Sequence, residues 1–146
     1  MEKPFKIFIS HQAQCEEEQI EKLLIYLKNA GFVVIHGSLN EQDFVQIVTE
    51  IDSYVCILNE DTYKSKAVAN EITTAALNGK RIFAIYCPNI KLEITLPTAL
   101  DNYATAVTEW NPEKLVEGLK GKDIGFSNQI GQKKQDFRST TPPSCN

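Results

Sequence analysis

Few side chains in this sequence have both the type and the placement that chemistry needs. His11 and His36 each follow a short apolar run, and Ser10, Gln12 and Ser38 stand beside them. Two histidines are too few for a metal site, so no metal centre is expected, and no Ser-His-Asp arrangement suggests itself. Each imidazole is open to two readings, a neutral partner for a loop or a substrate contact. Cys15 is followed six residues on by Glu21, where a thiolate phosphatase needs an arginine, and Glu16, Glu17 and Glu18 would repel a phosphate. The same loop lacks the glycines that let backbone N–H groups approach a pyrophosphate, which argues against a classical dinucleotide or P-loop cradle. The third apolar run ends in Leu58-Asn59 and offers no aspartate to a phosphoacceptor. Glu71 is the remaining candidate. It stands four residues after Ala67 and four before Ala75 in a segment whose apolar stripe is Ala67, Val68, Ile72 and Ala75. That spacing sets a carboxylate on the margin of a buried helix face.

The elements that must position these residues alternate. Apolar runs without a 3.6-residue period, at Phe5 to Ser10, Phe32 to Ile35, Tyr54 to Leu58, Arg81 to Tyr86 and Ala104 to Val107, predict strands buried on both faces. Between them, Ile20, Leu23, Leu24 and Leu27 predict an amphipathic helix ended by Gly31, and Phe44, Ile47, Val48 and Ile51 a shorter one over Glu41 to Ile51. Asn59 or Asp61 is the expected cap of a third helix reaching Gly79. Asn111 and Pro112 give the last helix the clearest start in the chain. Pro88 to Asn102 shows no helical pattern. Strict alternation implies an α/β, three-layer, flavodoxin-like fold with a five-stranded parallel sheet of order 2-1-3-4-5 and helices on both faces. Ligands of such sheets bind outside the carboxyl ends of the strands, here the loops Ser10 to Ala13, His36 to Ser38 and Asn59 to Asp61.

Composition bounds the function. The 146 residues suit one domain, expected over residues 1–120, with a polar tail or linker over 121–146. A formal net charge of −4 with scattered Lys and Arg argues against nucleic-acid binding. No apolar run approaches the roughly 18 residues of a membrane span, and the N-terminus has no signal-peptide pattern. The expectation is a cytoplasmic protein without membrane contact. Cys15, Cys56, Cys87 and Cys145 are widely spaced, form no C-x-x-C pair and are expected as reduced thiols, with Cys56 and Cys87 as small core residues.

Lys6-Ile7-Phe8-Ile9-Ser10-His11 resembles the first strand and loop of Toll/interleukin receptor (TIR) domains, which commonly read F-I-S-H or F-I-S-Y. Ser65-Lys66-Ala67-Val68-Ala69-Asn70-Glu71 keeps the Ser and Glu of that family's S-x-W-C-x-x-E pattern at their spacing. The run from Glu71 to Ile82 is similar to the helix and strand that follow in NAD-consuming, bacterial-type members. The likeness spans Phe5 to Leu119. It departs at Ala67, where the family has Trp, and in the first loop, which lacks an Asp after Ser-His. The segment from Gly37 to Asn40 is also shorter than the family's loop. The resemblance implies that Glu71 is the catalytic carboxylate of an NAD glycohydrolase or cyclase, with NAD as substrate and no cofactor. It implies substrate contacts from Ser10, His11, Gln12, His36, Ser38, Ser65 and Ala67, self-association through TIR surfaces, and a role in immune or cell-death signalling such as antiviral defence. Two alternatives stay open: a non-catalytic TIR module acting by self-association, and a nucleoside deoxyribosyltransferase-like enzyme, which shares the architecture and also uses a glutamate.

Overall fold

The structure is a computed structural model that describes residues 5–10, 15–37 and 39–134. In chain order the elements are β1 (Lys6–Ser10), α1 (Glu17–Asn29), β2 (Val33–Gly37), α2 (Glu41–Ile47), β3 (Ser53–Leu58), α3 (Lys66–Leu77), β4 (Arg81–Tyr86), α4 (Thr98–Tyr103), β5 (Ala106–Thr108), α5 (Pro112–Leu119), β6 (Phe126–Ser127) and β7 (Lys133–Lys134). All the strands join one sheet of order β2-β1-β3-β4-β5-β6-β7. Strands β1 to β6 run parallel and β7 is antiparallel to β6. The three-layer α/β fold and the 2-1-3-4-5 order read from the sequence are both present, in a sheet two strands wider than expected.

Alternation along each strand sorts the side chains into two cores, because successive residues point to opposite faces. From β1 and β3, Phe8, Tyr54, Cys56 and Leu58 face α2, α3 and α4, where they meet Phe44, Val68, Ile72 and Leu100. Ile7, Ile9, Val55 and Ile57 face the other way and pack with Leu23 and Leu27 of α1 and Leu115 of α5. Every residue of β3 is buried, as a strand covered on both sides must be. Strand β2 lies at the sheet edge and its side chains are only partly covered.

Helix ends follow local chemistry. Asn111 caps α5 by accepting a hydrogen bond from the Lys114 N–H at 3.0 Å. The Arg81 guanidinium, at the start of β4, donates to the carbonyls of Gly118 and Leu119 at the other end of that helix. Helix α3 is capped by Ser65, whose Oγ accepts from the Val68 N–H at 3.1 Å, and not by Asn59 or Asp61. Asn59 instead organises the preceding turn, its N–H donating to Thr62 Oγ1 at 2.8 Å.

Other expectations are corrected. Helix α2 ends at Ile47, four residues early, although Val48 and Ile51 stay in the core. A short helix, α4, lies inside the segment expected to be non-helical; its Ala99 and Leu100 are buried. The boundary expected at residue 120 falls inside the sheet, since Phe126 is only 5% exposed and β6 pairs with β5. Residues 135–146, the rest of the expected tail, lie outside the described residues, as does Cys145. Cys56 is a buried free thiol as expected, whereas Cys15 and Cys87 are joined in a disulfide with Cα atoms 5.8 Å apart. Their 72-residue separation hides a proximity that comes from the sheet, in which β1 and β4 run parallel and bring their carboxyl ends to the same edge.

If β6 belongs to the core, Phe126→Ala should cost about 3–5 kcal/mol in urea unfolding, the usual cost of removing a buried phenyl ring. A residue in a solvated tail would change stability by less than about 0.5 kcal/mol.

Candidate functional site

Helix α3 buries Val68, Ile72 and Ala75, and Glu71, three residues after Val68 and four before Ala75, is buried within the stripe instead of on its margin. Its side chain is 5% exposed. Beneath it, on β3, the Tyr54 hydroxyl donates to Glu71 Oε1 at 2.7 Å. The ring that carries this hydroxyl is fixed by neighbours on two sides. Phe8 stacks on it at 5.9 Å between centroids, and Phe44 meets it edge-on at the same distance. Ser10, the last residue of β1, is 2% exposed and close enough to favour the charged forms of both Glu71 and Tyr54. Its Oγ nevertheless makes no hydrogen bond of ordinary length and angle.

Burial is the dominant influence on the carboxyl and raises its pKa above the ordinary glutamate value; the hydroxyls of Tyr54 and Ser10 oppose the shift without cancelling it. Burial likewise pushes up the Tyr54 phenol, and the negative charges of Cys56 and Glu71 add to it. The Cys56 thiol is raised by its own burial and then by Glu71. Among the described residues Glu71 has no ion pair; the salt bridges present lie elsewhere, as between Lys114 and Glu109 at 3.1 Å. No second hydrogen bond reaches Glu71 Oε2 among the described residues, and no group of three or more metal-ligating side chains occurs there.

The carboxylate opens onto a cleft of about 270 Å³ between α2 and α3. Ala67, Asn70, Glu71 and Thr74 form the α3 wall, a stripe with the same-face spacing of one helix. Leu39, Glu41 and Phe44 form the opposite wall. The lining mixes three apolar residues with four polar or acidic ones, and its volume is below the roughly 300–1,000 Å³ usual for small-molecule sites.

Of the residues singled out in the sequence, the fold brings Glu71 and Ala67 into the cleft and Ser10 beside Glu71. Ser65 does not line it; its hydroxyl is occupied as the cap of α3. His36 is paired in register with Ile9, whose side chain belongs to the α1 core, so His36 projects from the opposite face of the sheet to Glu71. His11, Gln12 and Ser38 lie outside the described residues. Asn59, Glu60 and Asp61 do not line the cleft, and Glu60 borders a separate hollow with Asn89 and Lys91. Tyr54, Phe44, Asn70 and Thr74 were missed. A tyrosine inside a strand buried on both faces was the available signal, because its hydroxyl must find a polar partner. Asn70 and Thr74 follow from Ala67 and Glu71 by helical spacing alone.

No protein-family model matches the chain, and no curated protein matches it in sequence. The family likeness therefore rests on the residues quoted above.

The Tyr54–Glu71 bond has a pH signature. Because the carboxyl pKa is raised in the fold, the folded state holds its proton to higher pH than the unfolded chain does. The contribution of Glu71 to stability is therefore fully present below its unfolded-state value and is lost as pH rises through the folded one. Tyr54→Phe removes a donor that favours the ionised form, which should raise the carboxyl pKa further. We expect the substitution to cost about 1.5–3 kcal/mol in urea unfolding at neutral pH, and less as pH falls through the Glu71 titration. A cost independent of pH would show that the hydroxyl does not serve the carboxylate.

Proposed function

We propose that the chain is a TIR-type NAD glycohydrolase in which Glu71 is the catalytic carboxylate. One observation carries the reading: a carboxylate 5% exposed, held by a tyrosine and without a cationic partner among the described residues, lies at the wall of a cleft. Charged groups are rarely buried in this way without a partner, and those that are cluster at functional sites. The motif likeness around Ser65 and Glu71 supplies the reaction class.

In NAD the bond between ribose C1′ and the pyridine nitrogen is already cationic, so nicotinamide leaves neutral, carrying the bonding electron pair. No general acid is needed, unlike ordinary glycoside hydrolysis with two carboxylates. Positive charge moves from the ring toward C1′ as the bond breaks. The net charge of the ligand is unchanged, so Glu71 can lower the barrier only if it stands nearer to C1′ than to the ring. Its desolvated position strengthens that interaction relative to water. Tyr54 holds Oε1, which leaves Oε2 to meet the ribose. Water then adds its oxygen to C1′ and releases a proton, giving ADP-ribose; attack by a group of the same nucleotide gives a cyclic product.

The cleft's volume suits the nicotinamide-ribose end and leaves the remainder of the dinucleotide outside it. Ala67 occupies the wall where the family places Trp, and Phe44 is the aromatic residue across from it. A site short of one wall in the single chain is in keeping with the self-association that the family likeness suggests.

Incubation of concentrated protein with NAD should release free nicotinamide. Glu71→Gln, which keeps an acceptor for Tyr54, should lower the rate by about 10²–10³, the usual effect of losing one electrostatic group aimed at the transition state. The wild-type rate should rise with pH through an inflection above the ordinary glutamate range. A folded wild-type protein that leaves NAD intact at every concentration would overturn the enzyme reading in favour of the self-association module. A rate untouched by Glu71→Gln would remove the carboxylate from the chemistry.

A further inference from the structure

We propose that Cys15 and Cys87 form a reversible thiol–disulfide site at which Cys15 exchanges with small external thiols such as glutathione, so that the bond follows the surrounding redox state. The site is separate from the cleft. Both cysteines belong to the core on the α1 side of the sheet, whereas Tyr54, beneath Glu71, belongs to the other. Strand pairing and helix packing bring the two together. β1 and β4 lie on either side of β3 and run parallel to it, so the chain leaves both at one edge of the sheet. Cys87 is held there by its backbone N–H, which donates to the Leu58 carbonyl at 2.8 Å. Cys15 directly precedes Glu16, the cap of α1, and α1 is anchored in the core by Ile20, Leu23 and Leu27. The resulting Cα separation of 5.8 Å is one that a disulfide spans without backbone movement. Neither cysteine owes its place to the bond, so opening it leaves two thiols side by side that can close again.

The two sulfurs differ in access. Cys87 is 7% exposed within the core, whereas Cys15 is only partly buried against it. Exchange needs a thiolate to reach one sulfur of the bond, and here that sulfur is Cys15 Sγ. As the external sulfur bonds to it, the Cys15–Cys87 bond breaks and its electron pair leaves on Cys87 Sγ, which takes a proton. A second external thiolate then displaces Cys15 from the mixed disulfide, and Cys15 takes a proton in turn. The products are two protein thiols and one external disulfide: the external thiols are oxidised and the protein bond is reduced. Cys56 does not compete, because it is fully buried in β3 and burial pushes its thiol up. The closed bond joins positions 72 residues apart around β2, α2, β3 and α3, a constraint on the unfolded chain that favours the fold. Redox state is thereby coupled to stability.

The test uses protein carrying Cys145→Ser, which leaves Cys56 and the pair. It is equilibrated in buffers of reduced and oxidised glutathione, quenched with an alkylating agent and read by intact mass. We expect passage between a bonded and a two-thiol form in both directions. Both forms should melt cooperatively, the bonded one at least about 5 °C higher. Under native conditions the reduced protein should be alkylated at Cys15 at least about tenfold faster than at Cys87, since reactivity follows access. In oxidised glutathione, Cys87→Ser should collect one glutathione on Cys15, and Cys15→Ser should stay largely unmodified at Cys87. A bond that never forms in oxidised glutathione, one that opens only in denaturant, forms that melt alike, or a Cys87 that reacts as fast as Cys15 would each overturn the inference. The alkylation comparison keeps both cysteines of the pair, so it decides the question even where a serine variant fails to fold. None of these readings involves NAD, so failure here leaves the glycohydrolase standing and failure there leaves this site.

Discussion

A carboxylate removed from water and given no opposite charge is the constraint around which this molecule is arranged. Desolvating such a group costs several kcal/mol unless hydrogen bonds or a counter-charge offset it. Here the offset is partial. Tyr54 supplies one strong hydrogen bond, Ser10 a weaker influence, and the raised pKa of Glu71 expresses what is left uncompensated. Such a deficit costs stability and at the same time makes a ligand of positive charge favourable, which is the link to the proposed activity.

The fold holds this arrangement through the alternation of its strands. Phe8 and Ser10 are two residues apart on β1 and face the same core as Tyr54 on β3, while Ile7 and Ile9 anchor the opposite face to α1. The aromatic trio of Phe8, Phe44 and Tyr54 draws one member from each of β1, α2 and β3. The direction of the Tyr54 hydroxyl, and with it the orientation of Glu71, is thereby set by packing against two other elements, β1 and α2. Helix α3 contributes the carboxylate and one cleft wall from consecutive turns of a single stripe, so that side of the site is built on regular structure.

How much of this was legible follows from what sequence patterns encode. The strand and helix periods carry the α/β architecture and its strand order, since an uninterrupted apolar run such as Tyr54 to Leu58 requires cover on both faces. Short-range chemistry was partly readable: Asn111 with Pro112 fixed one helix start, whereas Ser65 was eclipsed as a cap by the more conspicuous Asn59 and Asp61. Contacts between distant segments left no trace. The pairing of Cys15 with Cys87, the β6 strand built from Phe126 and Ser127, and the hydroxyl of Tyr54 beneath Glu71 all depend on tertiary neighbours. His36 shows the converse error, because a position at a strand end says nothing of which face the side chain takes until the register is known. Glu71 itself was found by its spacing and its motif, but the depth of its burial was not.

The most direct test of this account is the ionisation of Glu71, followed by carbon NMR of a sample labelled at glutamate side-chain carboxyls and assigned with Glu71→Gln. A titration displaced above the ordinary glutamate range is the result expected from a desolvated group partly relieved by Tyr54. A carboxyl that titrates like one in water would mean that Glu71 is not a buried, unpaired group, and would contradict the central claim.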